Sequence, residues 1–212
     1  MQDKYTIRDF LVYFITGLYL LLTTLYCYKG ALLNFLSISP SNVKDYSAII
    51  IFFMLPGLYI LGHAVHGVDL IIFKIGNFLL DFKKKHVQTL SKYCLLKIIH
   101  FLCVVVTGNR IAGILNSKNI TSHIFWKMLS RLQYEGKSEK AEYWVLMADL
   151  FKGLTQISFW WSIYYLKSSK AEFTISIVLT VLFWFRGRHM ATNFVSTVNN
   201  TYEVRNEQPV AV

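Results

Sequence analysis

Residues 46–68, YSAIIIFFMLPGLYILGHAVHGV, decide the class of this protein, because no Asp, Glu, Lys or Arg occurs between Asp45 and Asp69. At a helical rise of ~1.5 Å per residue the stretch reaches ~34 Å, enough to cross a hydrocarbon layer of ~30 Å. It predicts a membrane-spanning helix. Pro56 and Gly57 weaken its backbone ladder, and His63 and His66 near its end are poorly solvated by hydrocarbon. Such a span is expected to pack against other helices, with Pro56, Gly57, His63 and His66 forming a polar hinge at which it can switch.

Composition agrees with that reading. Of 212 residues, 54% are hydrophobic and 16% charged. Mean hydropathy is +0.41, too apolar for an ordinary soluble domain with a charged share of ~25%. Cys27, Cys94 and Cys103 are odd in number and lack metal-type spacing, so they read as free thiols in a reducing compartment or a membrane. Phe10 to Tyr28 is a first uncharged run, with Gly17, Thr23 and Thr24 as helix-contact positions. It has no small-residue cleavage site and is followed by Tyr28-Lys29, so it is expected to stay as an anchor.

Beyond Asp69 an apolar pattern continues to Lys83-Lys84-Lys85, a basic cluster suited to an anionic leaflet or an acidic partner. From residue 86 to 149 charges recur every few positions. Leu90, Leu95, Leu96, Ile99 and Leu102, and then Ile124, Phe125, Met128, Leu129 and Leu132, fall at helical spacing and predict core stripes. Ile98 to Gly108 is apolar but too short to span, and is expected to be buried or interfacial. Ser138 is placed to cap a helix with Glu139 and Glu142 in its first turn. That helix runs into the uncharged Gly153–Leu166 segment, a third span, and after a turn at Ser168-Ser169-Lys170 the segment Phe173–Phe185 makes a fourth.

The expected fold is therefore all-α, with four transmembrane helices and a helical cytoplasmic insertion between the second and third. Residues 1–68 form the first transmembrane pair, 69–151 the insertion, and 152–212 the second pair with a C-terminal tail. Eighteen of the 22 basic residues then fall on one side, against Lys29, Lys44, Lys167 and Lys170 on the other. The positive-inside rule puts both termini and the insertion in the cytoplasm.

Two constellations could carry chemistry. His63-x-x-His66-x-x-Asp69 offers three ligand types on one helix, completed by His189 or Glu142, for a metal-dependent enzyme or an ion-coupled transporter. Residues six apart lie ~120° apart around a helix, which favours interhelix hydrogen bonding over ligation. Arg186-Gly187-Arg188-His189 reads as the basic stop after a span, with Arg186 and Arg188 at lipid headgroups or, less favoured, nucleic acid. Phosphate loops, nucleophile elbows and zinc-protease motifs are missing from the sequence, so no catalytic residue and no cofactor is expected.

PGLYILGHAVHG in the second span, the long basic middle, YEGKSEKAEYW before the third span and FRGRH after the fourth give the chain an arrangement that resembles small four-span bacterial membrane subunits of antiviral defence systems. The membrane subunit of the Kiwa system comes first, and the membrane accessory of type VI CRISPR loci second. The resemblance implies an inner-membrane homo-oligomer that senses membrane disturbance or forms a pore and binds a cytosolic, nucleic-acid-associated partner. The expectation is a non-enzymatic sensor, scaffold or effector that docks this partner through Lys83, Lys84, Lys85, Lys127 and Arg131. The alternatives are the enzyme or transporter just described and a toxin-like pore.

Overall fold

The computed structural model describes residues 2–36, 54–68, 71, 74 and 110–207. The fold class is all-α: helices and turns, with no strand among the described residues. Helix α1 runs Gln2–Leu36 and breaks helical geometry at Tyr28. Residues 54–68 form α2. Helices α3 (Arg110–Ser117), α4 (Ser122–Tyr134), α5 (Glu139–Tyr165) and α6 (Lys170–Glu207) follow. Residues 46–53 of the predicted second span, Lys83 to Lys85, Asp69, Cys94, Cys103 and the 98–108 segment lie outside the described residues.

The organising unit is the long pair α5/α6. Ser168 and Ser169 donate backbone N–H bonds to the Tyr165 carbonyl, closing the tight turn that the sequence predicts. The two helices therefore return along each other, and Phe151 meets Phe183 with ring centroids 6.2 Å apart. Helix α1 joins this pair in register with α5. Thr16 lies at Gly153, the Tyr19 hydroxyl is 2.8 Å from Ser158 Oγ, and Cys27 reaches Tyr165. The offset between partners stays near 138 residues along the whole contact, which is possible only if α1 and α5 run parallel.

At the 139–152 end of α5 the pair is cored as a soluble protein would be. Phe125, Leu132, Phe194, Val195 and Val198 are fully buried, joined by Leu115, Met128 and Leu129. Short helices α3 and α4 lie against the C-terminal half of α6 and close this core. The continuous α5 carries the predicted insertion into the third apolar segment without a break.

Three details depart from the sequence expectation. Among the described residues, one helix segment, Asp9–Tyr28, is long and apolar enough to cross a membrane. Gly153–Leu166 does not reach that length and apolarity, being short and diluted by Thr155, Gln156, Ser158 and Ser162, and Phe173–Phe185 is held between Glu172 and Arg186. Ile124 is exposed rather than in the core stripe, since it lies ~100° around the helix from Phe125 and outside the arc of Phe125, Met128, Leu129 and Leu132. Ser138 makes no side-chain cap. Its own backbone is already in the helical region, and its hydroxyl instead donates to Glu142 Oε1 at 2.6 Å.

Candidate functional site: a polar core between α1, α2 and α5, and a basic face on α4

The helix crossing that places His66 depends on two glycines. A Cβ on Gly17 would collide with the Leu58 carbonyl, and one on Gly62 with the Tyr13 carbonyl, so the α1 and α2 backbones touch directly. Close backbone approach at small residues is how membrane helices associate without a hydrophobic driving force between them. Gly17 is a contact position, as the sequence suggests. Thr23 and Thr24 instead return their hydroxyls to the carbonyls of Tyr19 and Leu20 in their own helix.

Tyr13 sits between the two histidines. Its ring stacks on His63 at 3.7 Å and meets the edge of His66 at 5.2 Å. His63 is exposed and also edge-on to Tyr59 at 4.5 Å. His66 points the other way, into the bundle, where its Nε2 lies 3.1 Å from the place a Gly153 Cβ would occupy. A Cβ at 153 would press first on Thr16 Cγ2, at 2.7 Å, and then on the imidazole. His66 Nε2 and, one turn farther along α5, the fully buried Gln156 Oε1 have no hydrogen-bond partner among the described residues.

The other polar groups along this end are satisfied internally. Thr16 bonds to the Val12 carbonyl at 2.8 Å, Thr180 to that of Ser176 at 2.7 Å, and Ser162 to that of Phe159 at 2.7 Å. With Tyr19 and Ser158 paired to each other, the bundle interior from Thr16 to Thr180 is lined with hydroxyls that ask little of any neighbour. Many large apolar side chains face outward here, Leu22, Ile163, Ile175, Leu182 and Phe185 being each at least half exposed, while Val12, Leu58, Leu154 and Ile157 stay buried beside the hydroxyls. Tyr28, Trp161, Tyr164 and Tyr165 form an aromatic belt at the far end, with Tyr28 and Tyr164 5.7 Å apart.

Of the metal set drawn from the sequence, Asp69 lies outside the described residues, and neither completing candidate stands beside His63 and His66. Glu142 belongs to the opposite end, ~16 Å along α5 from Gly153, where it accepts from Ser138 and from Gln133 Nε2 at 3.4 Å. His189 is exposed, with its Nε2 3.2 Å from Asn193 Nδ2. Among the described residues no three His, Cys, Asp or Glu side chains converge. Pro56 is exposed and no described atom lies within 4 Å of where a Gly57 Cβ would stand, so the tight contact in α2 falls at Gly62, which sequence reasoning missed. The signal was present as Leu58-x-x-x-Gly62 opposite Tyr13-x-x-x-Gly17.

At the apolar-cored end, α4 presents a second surface. Lys127 and Arg131 are exposed on its outer side, and Arg131 Nε lies 3.6 Å from Glu135. Ile124, Trp126 and Tyr134 share that side, Tyr134 at 94% exposure. Aromatic residues and arginine are the types that anchor protein interfaces, and here they stand uncovered by the described chain. Sequence periodicity marks the buried arc of α4 but cannot mark this one. Arg186 and Arg188 are both exposed where the polar core gives way to the apolar one, and the Arg188 guanidinium stands 5.7 Å from the centre of the Trp184 ring. No protein-family model, curated protein or solved structure matches this chain.

Proposed function

We propose that the chain is a non-enzymatic, four-span inner-membrane protein that scaffolds or senses, with both termini in the cytoplasm and a cytosolic protein partner docked on its basic face. The observation that carries this reading is the reversal of polarity along α5/α6. Hydroxyls and Gln156 are buried while Leu182, Ile175 and Phe185 face out at one end, and Phe194 and Leu132 are buried while Lys127 and Arg131 face out at the other. A side chain's preferred exterior reports its solvent, and hydrocarbon is the solvent that rewards exposed leucine over exposed serine. The parallel run of α1 and α5 supports the same topology, since spans one and three must cross in one direction. Arg186 and Arg188 then stand at the headgroups of the inner leaflet, where each basic charge contributes ~1 kcal/mol.

On this reading Lys127 and Arg131 attract an acidic partner, and Trp126, Tyr134 and Ile124 supply the apolar contact area. The resemblance to defence-system membrane subunits adds the setting: an antiviral role, assembly as a homo-oligomer, and a partner that itself handles nucleic acid. Two measurements test it together. A thiol introduced at Lys118 should react only after the inner membrane is permeabilised, and the chain should stay in the pellet after alkaline extraction. Purified from detergent, native protein should carry a stoichiometric partner that the Lys127→Glu, Arg131→Glu double variant loses. Labelling of position 118 from outside the cell would overturn the topology, and recovery without detergent would overturn the whole reading.

One observation favours a second reading, an ion-coupled transporter. His66 Nε2 and Gln156 Oε1 are buried without partners among the described residues, and such groups inside a bundle commonly mark an ion or proton path. Substituting His63 and His66 by Gln separates the two. Loss of function with intact assembly and no change in ion flux fits a switching role for the crossing, whereas abolished flux fits transport.

A further inference from the structure

Resting on the membrane reading above, a cleft of about 330 Å3 between α1, α5 and α6 suggests a ligand. Three helical stripes meet there: Tyr19, Leu22, Thr23 and Tyr26 on α1; Ser158, Trp161 and Tyr165 on α5; Glu172, Ile175, Ser176 and Leu179 on α6. Each is spaced three, four and seven residues apart, so each presents one face, and the cleft is ~10 Å long. Glu172 stands at one end, next to the 166–169 turn, and carries the only formal charge among the described lining residues. Leu22, Trp161 and Leu179 make the walls below it apolar.

The polar atoms of the floor are largely committed. Tyr19 and Ser158 bond to each other, Thr23 returns to its own helix, and Cys27 pairs with Tyr165. A hydrocarbon chain lying on them would break no hydrogen bond. The Glu172 carboxylate differs, because no ion pair or hydrogen bond from a described residue reaches it. An anionic group at the head of an apolar cleft that opens sideways asks for a cationic amphiphile.

We propose that this cleft holds one phospholipid with a primary ammonium headgroup, the ammonium against Glu172 and an acyl chain between Leu22, Trp161 and Leu179. A primary ammonium donates charge-assisted hydrogen bonds to the carboxylate, which a quaternary one cannot do, and an anionic headgroup would be repelled. The cleft thereby distinguishes ethanolamine from choline and glycerol lipids.

Native mass spectrometry of the full chain in detergent, titrated separately with palmitoyl-oleoyl phosphatidylethanolamine, phosphatidylcholine and phosphatidylglycerol, tests this. The ethanolamine lipid should be retained about tenfold better than the choline lipid. Glu172→Gln should remove that preference, and Ser176→Phe, which fills the cleft from α6, should remove the adduct while the melting temperature confirms folding. Equal retention of ethanolamine and choline lipids, an unchanged adduct in both variants, or a lipid-free dimer cross-linked through Tyr26→Cys would overturn the proposal. A chain that is soluble without detergent and retains no lipid would overturn the membrane reading with it, whereas lipid retention indifferent to Glu172 would overturn this inference alone.

Discussion

Phe194 and Leu182 stand twelve residues apart on the same helix, yet Phe194 is fully buried and Leu182 is 57% exposed. Around Phe194 the neighbours are Phe125, Leu132 and Val198, and the exterior is Lys127, Arg131 and Gln133. Around Leu182 the buried neighbours are hydroxyl-bearing, Thr180 and Ser176, and the exterior is Val178, Val181 and Phe185. One helix pair thus obeys two opposite rules of burial. On the membrane reading proposed above, the two ends face different solvents, with Arg186 and Arg188 near the change.

The contrast can be broken at its apolar-cored end first. Phe194→Ala removes a fully buried ring that meets Phe125 at 5.4 Å, and should cost ~3–5 kcal/mol, read as a fall in the unfolding midpoint of the detergent-solubilised chain. Leu182→Asp probes the other end with a change that would be nearly silent on a water-facing surface. If Leu182 faces lipid, the substitution should cost ~2.5–3.5 kcal/mol of insertion, read as the fraction of chain recovered in the membrane. Tyr134→Asp, on the exposed face of α4, should stay within ~0.5 kcal/mol. Equal, small effects of Leu182→Asp and Tyr134→Asp would erase the distinction between the ends.

Much of this division is legible in the sequence. Charge-free runs mark Phe10–Tyr28, Gly153–Leu166 and Phe173–Phe185, and the 3.6-residue period marks Phe125, Met128, Leu129 and Leu132 as core. Hydrophobicity alone does not tell which side of a membrane helix faces its neighbours. The inward placement of Thr16, Gln156, Ser158 and Thr180 therefore emerges only with three helices in position. Gly62 was hidden for a related reason: a glycine that lets two backbones touch looks, in sequence, like one that loosens a helix, and Pro56-Gly57 drew that role instead. The histidines were legible as polar groups in a span but not as a pair split by Tyr13, because their spacing leaves open which of them turns inward.

A pH-dependent effect belongs to Glu142, and it sharpens the comparison because this carboxyl is buried among the groups of the apolar-cored end. At the polar-cored end the fully buried polar side chains, Thr16, Thr155, Gln156 and Ser158, do not ionise. At the other, burial raises the carboxyl of Glu142 above the ordinary carboxylate range. Between that ordinary value and the raised one, the folded chain holds a proton that the unfolded chain has released, so stability falls as pH rises through the window. Above it the buried carboxylate opposes folding by a constant amount, and below it the penalty is gone. Glu142→Gln keeps an acceptor for the Ser138 hydroxyl and has no charge to bury. The variant should therefore melt above the native chain at neutral pH, with the gap closing in acid. Ser158→Ala, which removes the partner of Tyr19 at the opposite end, should shift stability by ~0.6 kcal/mol and by the same amount at every pH. A gap that widened in acid for Glu142→Gln would mean that Ser138 and Gln133 stabilise the ionised carboxylate by more than burial penalises it, and the cluster would then act as an anchor for charge.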